Sequence, residues 1–390
     1  TQTRLQPATM KHHTGIPRPT RLSIWLLTTL AAITGLALTG ITATAAEKSP
    51  VVGTYYYPWY GPSTNWRHVM REHLVPAQTP KLGHYNSSDP AVISDHIAQT
   101  LHAGIDFWAV SWWGPGTPTD KNFLNAILKH PDAEKLKYAA LYEATGRMGR
   151  FGNPDYSKWI ADLEYLRDNF FTHPNYLRIH GKPVVFVYLT REYFRNKGAE
   201  VLQETRQRFP DLYLVGDEVF GEGYQADWAK NFDAITAYDV YGQSVGRFGG
   251  TKKAVQFLAN NYRHAREQAN SVGTAFMPTI APGYNDTAVR QGHPGRARHF
   301  TDIKESKEGD LFRAMIHDVA LPNLDPKCDN IMMVTSFNEW FEDSQIEATK
   351  GTSTSTSTDD SPDGRHFTGG DRYVDYGNLY LDILRDEVPH

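Results

Sequence analysis

The sequence predicts an α/β fold, a single (β/α)8 TIM barrel, from three observations. Eight short apolar runs of strand length alternate with longer stretches of helical periodicity. Polar and aromatic residues gather just past the end of each run, where a barrel presents its strand ends to a ligand. No Gly-x-Gly-x-x-Gly follows the first run, which lowers the case for a doubly wound dinucleotide-binding sheet.

The runs are Val51–Tyr57, Ile105–Ser111, Tyr138–Tyr142, Pro183–Tyr188, Leu212–Gly216, Ala234–Ala237, Ala275–Ile280 and Ile331–Thr335. Each has the length and apolar continuity of a parallel strand buried on both faces. Between the first two, Asp89-Pro90 opens a helix over Ala91–Ala103, with proline in the first turn. Asp155 or Ser157 is the expected cap of a helix running to about Asn169. Lys252–Asn270 carries Val255, Leu258 and Tyr262 on one face, Leu311–Leu321 leads into the eighth run, and Tyr376–Arg385 closes the barrel.

Two tracts read as mobile. Residues 351–361 are low in complexity and offer nothing to bury. Residues 283–300 are polar, punctuated by glycine and proline, and suit a loop over a cleft.

At the N-terminal end, Met10 reads as a natural start and residues 1–9 as an upstream extension. Lys11, Arg18 and Arg21 precede an apolar run from Leu22 to Ile41, and Ala43–Ala46 is small. That order is a secretory signal, so residues 1–46 are expected to be removed and the protein exported to a periplasm or the extracellular space. A membrane anchor is the competing reading, because the run is long enough to span a bilayer. The remaining 47–390 suit one large barrel.

Composition narrows the function. Charged residues are 22% and the net charge is −4, so no nucleic-acid footprint is present. Cys328 is the only cysteine, which excludes an internal disulfide. Aromatics reach 12%, and flat rings suit the apolar faces of sugars. His68 and His73 flank Glu72 without metal-site spacing, so neither metal nor cofactor is expected. No Gly-x-Ser-x-Gly elbow occurs, against a serine esterase. The expected partner is an oligosaccharide or polysaccharide, bound by a monomer with no membrane attachment once the signal is removed.

Glu339 and Glu342 are the candidate catalytic pair. They stand three residues apart past the eighth run, so a helical turn points them the same way. Two close, partly buried carboxylates repel, which makes one an acid beside a base. Glycoside hydrolysis needs such a pair. The competing reading is a solvated acidic loop that also holds Asp343 and Glu347. Candidate sugar contacts are Tyr57, Trp59, Trp112, Trp113, Glu143, Tyr188, Tyr241 and Asn338, all at run ends. Trp112 and Trp113 are adjacent, so in extended backbone at most one faces the sugar. Glu143 has a rival use, an ion pair with Arg147 one helical turn on. Asp217 and Glu218 follow the fifth run, and one of them is a further candidate.

At these residues the sequence resembles glycoside hydrolase family 99, the endo-α-1,2-mannosidase and endo-α-1,2-mannanase family. The matching blocks are TYYYPWYG (54–61), HYNSSDPAVI (84–93), GIDFWAVSWWGPG (104–116), ALYEATGR (140–147), GKPVVFVY (181–188), TSFNEWFEDSQIEAT (335–349) and YGNLYLDILR (376–385). The resemblance implies a barrel that cleaves inside α-mannoside chains with retention, through a 1,2-anhydro sugar. It implies that Glu339 is a base toward the substrate's 2-hydroxyl and Glu342 the acid/base. It places substrate contacts on Tyr57, Trp112 or Trp113, Glu143, Tyr188 and Tyr241. One position departs: the family commonly has His where this chain has Phe341, so the neighbouring subsite is expected to differ. A related barrel hydrolase acting on another α-glycan and a non-catalytic sugar-binding barrel are the alternatives.

Overall fold

The computed structural model describes residues 48–241 and 249–390. The extension and export signal expected over residues 1–46 lie outside the described residues.

The central strands are β1 (Val51–Tyr56), β2 (Phe107–Trp112), β3 (Lys137–Tyr142), β4 (Lys182–Val187), β5 (Tyr213–Asp217), β6 (Ala234–Thr236), β7 (Ala275–Phe276), β8 (Thr279–Ile280) and β9 (Ile331–Val334). They pair in parallel in the order β7-β6-β5-β4-β3-β2-β1-β9-β8. The two ends of that path are the halves of the seventh apolar run. Met277 and Pro278 separate them, and Pro278 has no N–H to continue a ladder. Met277 N still donates to Ile235 O at 2.9 Å, and Pro278 O accepts from Met333 N at 2.8 Å. The architecture is an α/β barrel whose seventh run is broken rather than the uninterrupted strand expected from the sequence.

Side-chain alternation splits the strands between two cores. Tyr55, Phe107, Ala109, Leu141, Phe186, Val215 and Met333 pack together inside the barrel. Their neighbours Tyr56, Trp108, Val110, Tyr142, Val185, Leu214 and Val334 pack outward, against the helices. Gly53 belongs to the inner set for a steric reason. A Cβ there would lie 2.1 Å from Phe107 Cζ, so the ring fills the space a side chain would need.

The outer layer includes α1 (Pro90–His102), α2 (Trp159–Asn169), α3 (Ala199–Arg208), α4 (Lys252–Ser271), α5 (Asp310–Ala314, continued as a π-helical stretch over Met315–Ala320) and α6 (Leu379–Glu387). The expected first-turn proline opens α1, where Asp89 caps by accepting from Ala91 N, and Thr251 caps α4 through Ala254 N. The expected cap of α2 is corrected. Lys158 stands at that N-cap without a side-chain bond, and Asp155 instead accepts from Ser157 N in the preceding turn. None of the described helices is long and apolar enough to cross a membrane.

The 351–361 tract is also corrected: it is tied down rather than mobile. Asp375 accepts from Gly351 N, Thr352 N and the Thr352 hydroxyl. Ser355–Thr356 pairs with Tyr373–Val374, and Asp359 accepts from Phe367 N and Thr368 N. Hydroxyls and carboxylates satisfy the backbone here, so the segment needs no apolar core of its own.

Gly53→Ala is expected to destabilise the fold by about 1–3 kcal/mol through overpacking against Phe107. Urea unfolding checks this, and a second change, Phe107→Leu, is expected to recover part of the loss.

Candidate active site

Past β9 the chain makes one 3-10 turn, Trp340–Glu342. Glu339 caps it: its side chain accepts from Phe341 N at 2.9 Å, and its own N–H donates to the Ser336 hydroxyl at 2.8 Å. The turn ends at Asp343 in the left-handed region, φ 48°. A short polar side chain tolerates that conformation when it is held locally, and Asp343 is held. Its Oδ1 accepts from Arg71 Nε at 2.5 Å, Arg298 Nη2 at 3.1 Å and Gln345 Nε2 at 3.2 Å. Arg298 also donates to the backbone oxygens of Asp343 and Gln345. Both guanidiniums lie against tyrosine rings, Arg71 over Tyr373 and Tyr376, and Arg298 over Tyr376 and Tyr380. The two arginines hold the Asp343 carboxyl below the usual carboxylate range despite burial.

Glu347, further along, is buried as well. It accepts from Trp340 Nε1 at 2.7 Å and Tyr85 OH at 2.9 Å, and His96 Nε2 lies 3.1 Å away. The solvated acidic loop that competed with the catalytic reading is therefore overturned. Asp343 and Glu347 are internal, paired supports, and Glu339 and Glu342 are the carboxylates presented forward.

Glu339 is almost wholly buried, and burial followed by the nearby Glu342 charge pushes its carboxyl well up. Glu342 keeps 19% of its side chain exposed. Burial raises it too, while Arg290 and the Tyr238 hydroxyl pull the other way. Arg290 Nη1 lies 3.2 Å from Glu342 Oε1, and Tyr238 OH donates to Oε2 at 3.2 Å. Two carboxyls raised by burial and facing the same space can share a proton, one serving as acid and the other as base.

The remaining sequence candidates divide. Tyr57, Trp59, Trp113, Glu143 and Tyr188 are brought together around the pair. The Tyr57 ring lies 4.5 Å from Trp59, and Trp59 lies 6.4 Å from Trp113. Tyr188 meets Tyr238 edge-on at 5.3 Å. The Trp59 indole N–H is buried and finds no acceptor among the described residues. Glu143 accepts from the Ser111 hydroxyl at 2.6 Å, and burial pushes its carboxyl up to about 8. Arg147 is not its partner: it forms a two-pronged pair with Asp162, at 2.8 and 2.6 Å.

Two candidates, Trp112 and Asn338, point into the protein instead. Trp112 follows the outward parity of β2, is wholly buried, and donates to Asp120 Oδ1 at 2.7 Å. Asn338 is also wholly buried. Its amide joins β1 to the turn, with Tyr57 N donating to Oδ1 at 2.7 Å and Nδ2 donating to Tyr57 O at 3.0 Å. Tyr241 lines the larger cavity as expected, while its hydroxyl donates to the backbone, to Ala281 O at 2.5 Å. Asp217 and Glu218 likewise turn into the protein. Asp217 accepts from Leu189 N and Tyr238 N, which sets the backbone beside Tyr188 and Tyr238. Glu218 pairs with Arg195 and Thr190.

Two cavities flank Glu342. One, of about 370 Å³, is lined by Tyr188, Tyr238, Tyr241, Tyr284 and residues of the 283–300 loop. The other, of about 210 Å³, is lined by Trp59, His68, Val289, Glu339 and Phe341. Arg290 and Glu342 line both. Sequence reasoning did not single out Tyr238 or Arg290 as site residues, and it weighed His68 only as a metal ligand. Tyr238 was legible as a strand-end tyrosine. His68 and Arg290 come from loops, and nothing in their neighbours signals a site. No group of three or more His, Cys, Asp and Glu able to hold a metal occurs among the described residues.

The profile of Glycosyl hydrolase family 99 matches residues 64–363. The glycoprotein endo-alpha-1,2-mannosidase of Mus musculus is 23% identical over 363 residues, which is 82% of this chain and 74% of that protein. The human glycoprotein endo-alpha-1,2-mannosidase-like protein is 23% identical over 86% of this chain and 74% of its own length. Among solved structures, the GH99 endo-alpha-mannosidase of Bacteroides thetaiotaomicron in complex with BIS-TRIS-propane superposes with a TM-score of 0.61 at 22% identity. That superposition covers 86% of this chain and 95% of the other and supports the barrel fold. With its family profile matched through the barrel and two raised carboxylates at the barrel mouth, the chain belongs to glycosyl hydrolase family 99 and is a glycoside hydrolase.

Proposed function

We propose that this protein is an endo-acting, retaining α-mannosidase that cuts internal α-1,2-mannosidic bonds of mannan or mannose-rich glycans. The observation that carries the reading is the Glu339/Glu342 pair on one rigid turn, with a cavity on either side. A chain cut internally needs room for sugar on both sides of the scissile bond. The curated relatives' endo-alpha-1,2-mannosidase activity supports the linkage. The proposed fold is the complete (β/α)8 barrel, with the two halves of the seventh run counted as one interrupted strand. Export is proposed from the basic and apolar order of residues 11–46.

The proposed chemistry uses the chain, the substrate and one water. Glu339, as carboxylate, takes the proton of the substrate's 2-hydroxyl. That oxygen attacks the anomeric carbon from the face opposite the leaving group. The glycosidic C–O bond breaks, and the leaving oxygen takes the proton of Glu342. The product of this step is a 1,2-anhydro sugar. Glu342, now a carboxylate, takes a proton from water as the water oxygen bonds to the anomeric carbon. The epoxide C–O bond breaks, and its oxygen recovers the proton held by Glu339. Two inversions give retention. A carboxyl raised by burial and a like charge is the stronger base when ionised, which suits abstraction from an alcohol. Glu143, neutral at pH 7, is proposed to donate to a sugar oxygen, with the Trp59, Trp113 and Tyr188 rings beneath the sugars.

A second reading, a related α-glycan hydrolase, is favoured by Phe341. Its ring lies 6.0 Å from Trp59 and 6.5 Å from His68. It therefore lines the smaller cavity with carbon where the family commonly places an imidazole. Oligosaccharide release from α-1,2-mannan, set beside α-1,3-linked and glucosylated mannosides, decides between the readings.

Glu339→Gln and Glu342→Gln are each expected to reduce release by at least about a thousandfold, since each removes a proton-transfer step. Full activity in either variant would overturn the assignment. A substrate whose scissile mannoside lacks the 2-hydroxyl is expected to bind and not turn over. Normal cleavage of it would point to a covalent enzyme intermediate.

Glu143 also makes a stability prediction. Its carboxyl is ordinary when unfolded, near 4.5, and about 8 when folded. The folded state then holds the proton more tightly, so stability falls as pH rises from about 4.5 to about 8 and levels off above. Glu143→Gln is expected to flatten that decline. The measurement is Tm against pH for both proteins, with the difference opening in favour of the variant across that window.

A further inference from the structure

Arg290 occupies an unusual place. It and Glu342 are shared by the walls of both cavities, so the pair stands where the two meet. Its guanidinium is 55% exposed, while the carboxylate that anchors it, Asp286, is wholly buried. Asp286 Oδ2 accepts from Arg290 Nη1 and from Tyr284 OH at 2.7 Å, and His293 Nδ1 lies 2.7 Å from Oδ1. The same Nη1 is 3.2 Å from Tyr284 OH and 3.2 Å from Glu342 Oε1. Arg290 thus has a firm seat on Asp286 and a second, longer contact on Glu342. A small swing breaks the second while keeping the first.

That contact conflicts with the chemistry. A guanidinium on a carboxylate favours its charged form, and a general acid must be protonated when the substrate is in place. We propose that Arg290 is a latch at the junction of the two cavities, holding the Glu342 carboxylate before substrate binds and giving it up when a glycan lies across both. This rests on the endo-acting reading above. A chain running from one cavity to the other passes the point where Arg290 meets Glu342. The sugar moves the exposed guanidinium back onto Asp286, and its leaving oxygen takes the place beside Glu342 Oε1. Glu342, left beside Glu339, Glu143 and Asp286 without that cation, takes up a proton. The other groups facing it are the Tyr57, Tyr188, Tyr238 and Tyr284 hydroxyls, all raised and neutral in this range. Arg191, Asp239, His293 and Arg296 are the other titratable residues lining the larger cavity.

The first test needs no substrate. Protein carrying ¹³C-labelled glutamate carboxyls is titrated by NMR, with the Glu342 signal identified by its loss in Glu342→Gln. In Arg290→Gln the midpoint is expected to rise by about one unit, the low end for removing an opposite charge at this range. Arg290→Lys is expected to restore most of it. An unchanged midpoint in Arg290→Gln overturns the latch. The second test uses an α-1,2-mannooligosaccharide and Glu339→Gln, which prevents turnover. Calorimetry in buffers of different ionisation enthalpy counts protons, and uptake on binding is expected at pH values between the two midpoints. Adding Arg290→Gln is expected to abolish most of that uptake. Equal uptake with and without Arg290, or none with it, overturns the latch. Absence of both binding and cleavage overturns the endo-mannosidase reading instead, and the carboxyl titration still decides whether Arg290 holds Glu342.

Discussion

The buried contact among Arg71, Asp343 and Arg298 is the constraint on which the site depends. Asp343 follows Glu342 directly and has positive φ, so the turn that points Glu342 forward exists only while Asp343 is held. The holders come from far along the chain, Arg71 from the loop after β1 and Arg298 from the loop after β8. Burying two guanidiniums and a carboxylate costs several kcal/mol per ion in desolvation. The arrangement offsets this with three donors on one carboxylate oxygen, three backbone acceptors and tyrosine rings over both cations. Its value lies in specifying one conformation of the turn, because a half-satisfied version leaves a charge stranded in the interior.

The same loop that supplies Arg298 also supplies Asn285, whose N–H donates to Glu342 O at 2.7 Å, and Arg290, which reaches the Glu342 side chain. One loop therefore fixes the backbone of the acid/base candidate from behind and touches its carboxylate from the front. On the other flank, Asn338 and the Tyr60 hydroxyl tie the turn to the end of β1. The aromatic floor and the carboxylate pair are in this way one mechanical unit. Asp217 performs a similar service for Tyr188 and Tyr238. Its buried carboxylate binds two backbone N–H groups, and burial raises it only to about 6.

Much of this was legible in the chain. Strand parity follows from a period of two, so at most one of Trp112 and Trp113 can face the barrel mouth. Which one does so needed the register. Phe107, Ala109 and Ser111 point inward, and Trp113 continues that series to meet Trp59. The Glu143–Arg147 pair was a fair expectation from spacing, yet Asp162 on α2 offers Arg147 two oxygens in the geometry a guanidinium fits best. Residues 351–361 looked unable to order because they lack apolar side chains. They order because carboxylates and hydroxyls distant in sequence satisfy their backbone.

The sequence by itself determined the alternation of strands and helices, the outward and inward faces and the family, and it pointed to the glutamate pair. Each is written in local periodicity or in contiguous motif blocks, which survive without knowledge of what packs where. Only the tertiary structure decided which strand-end residues are supports and which line the cleft. It showed Asn338 and Trp112 to be structural, and it brought His68, Tyr238 and Arg290 to the carboxylates. The physical reason is that a buried polar group is defined by its partners, and those partners can lie far along the chain, as Asn338 lies 281 residues from Tyr57.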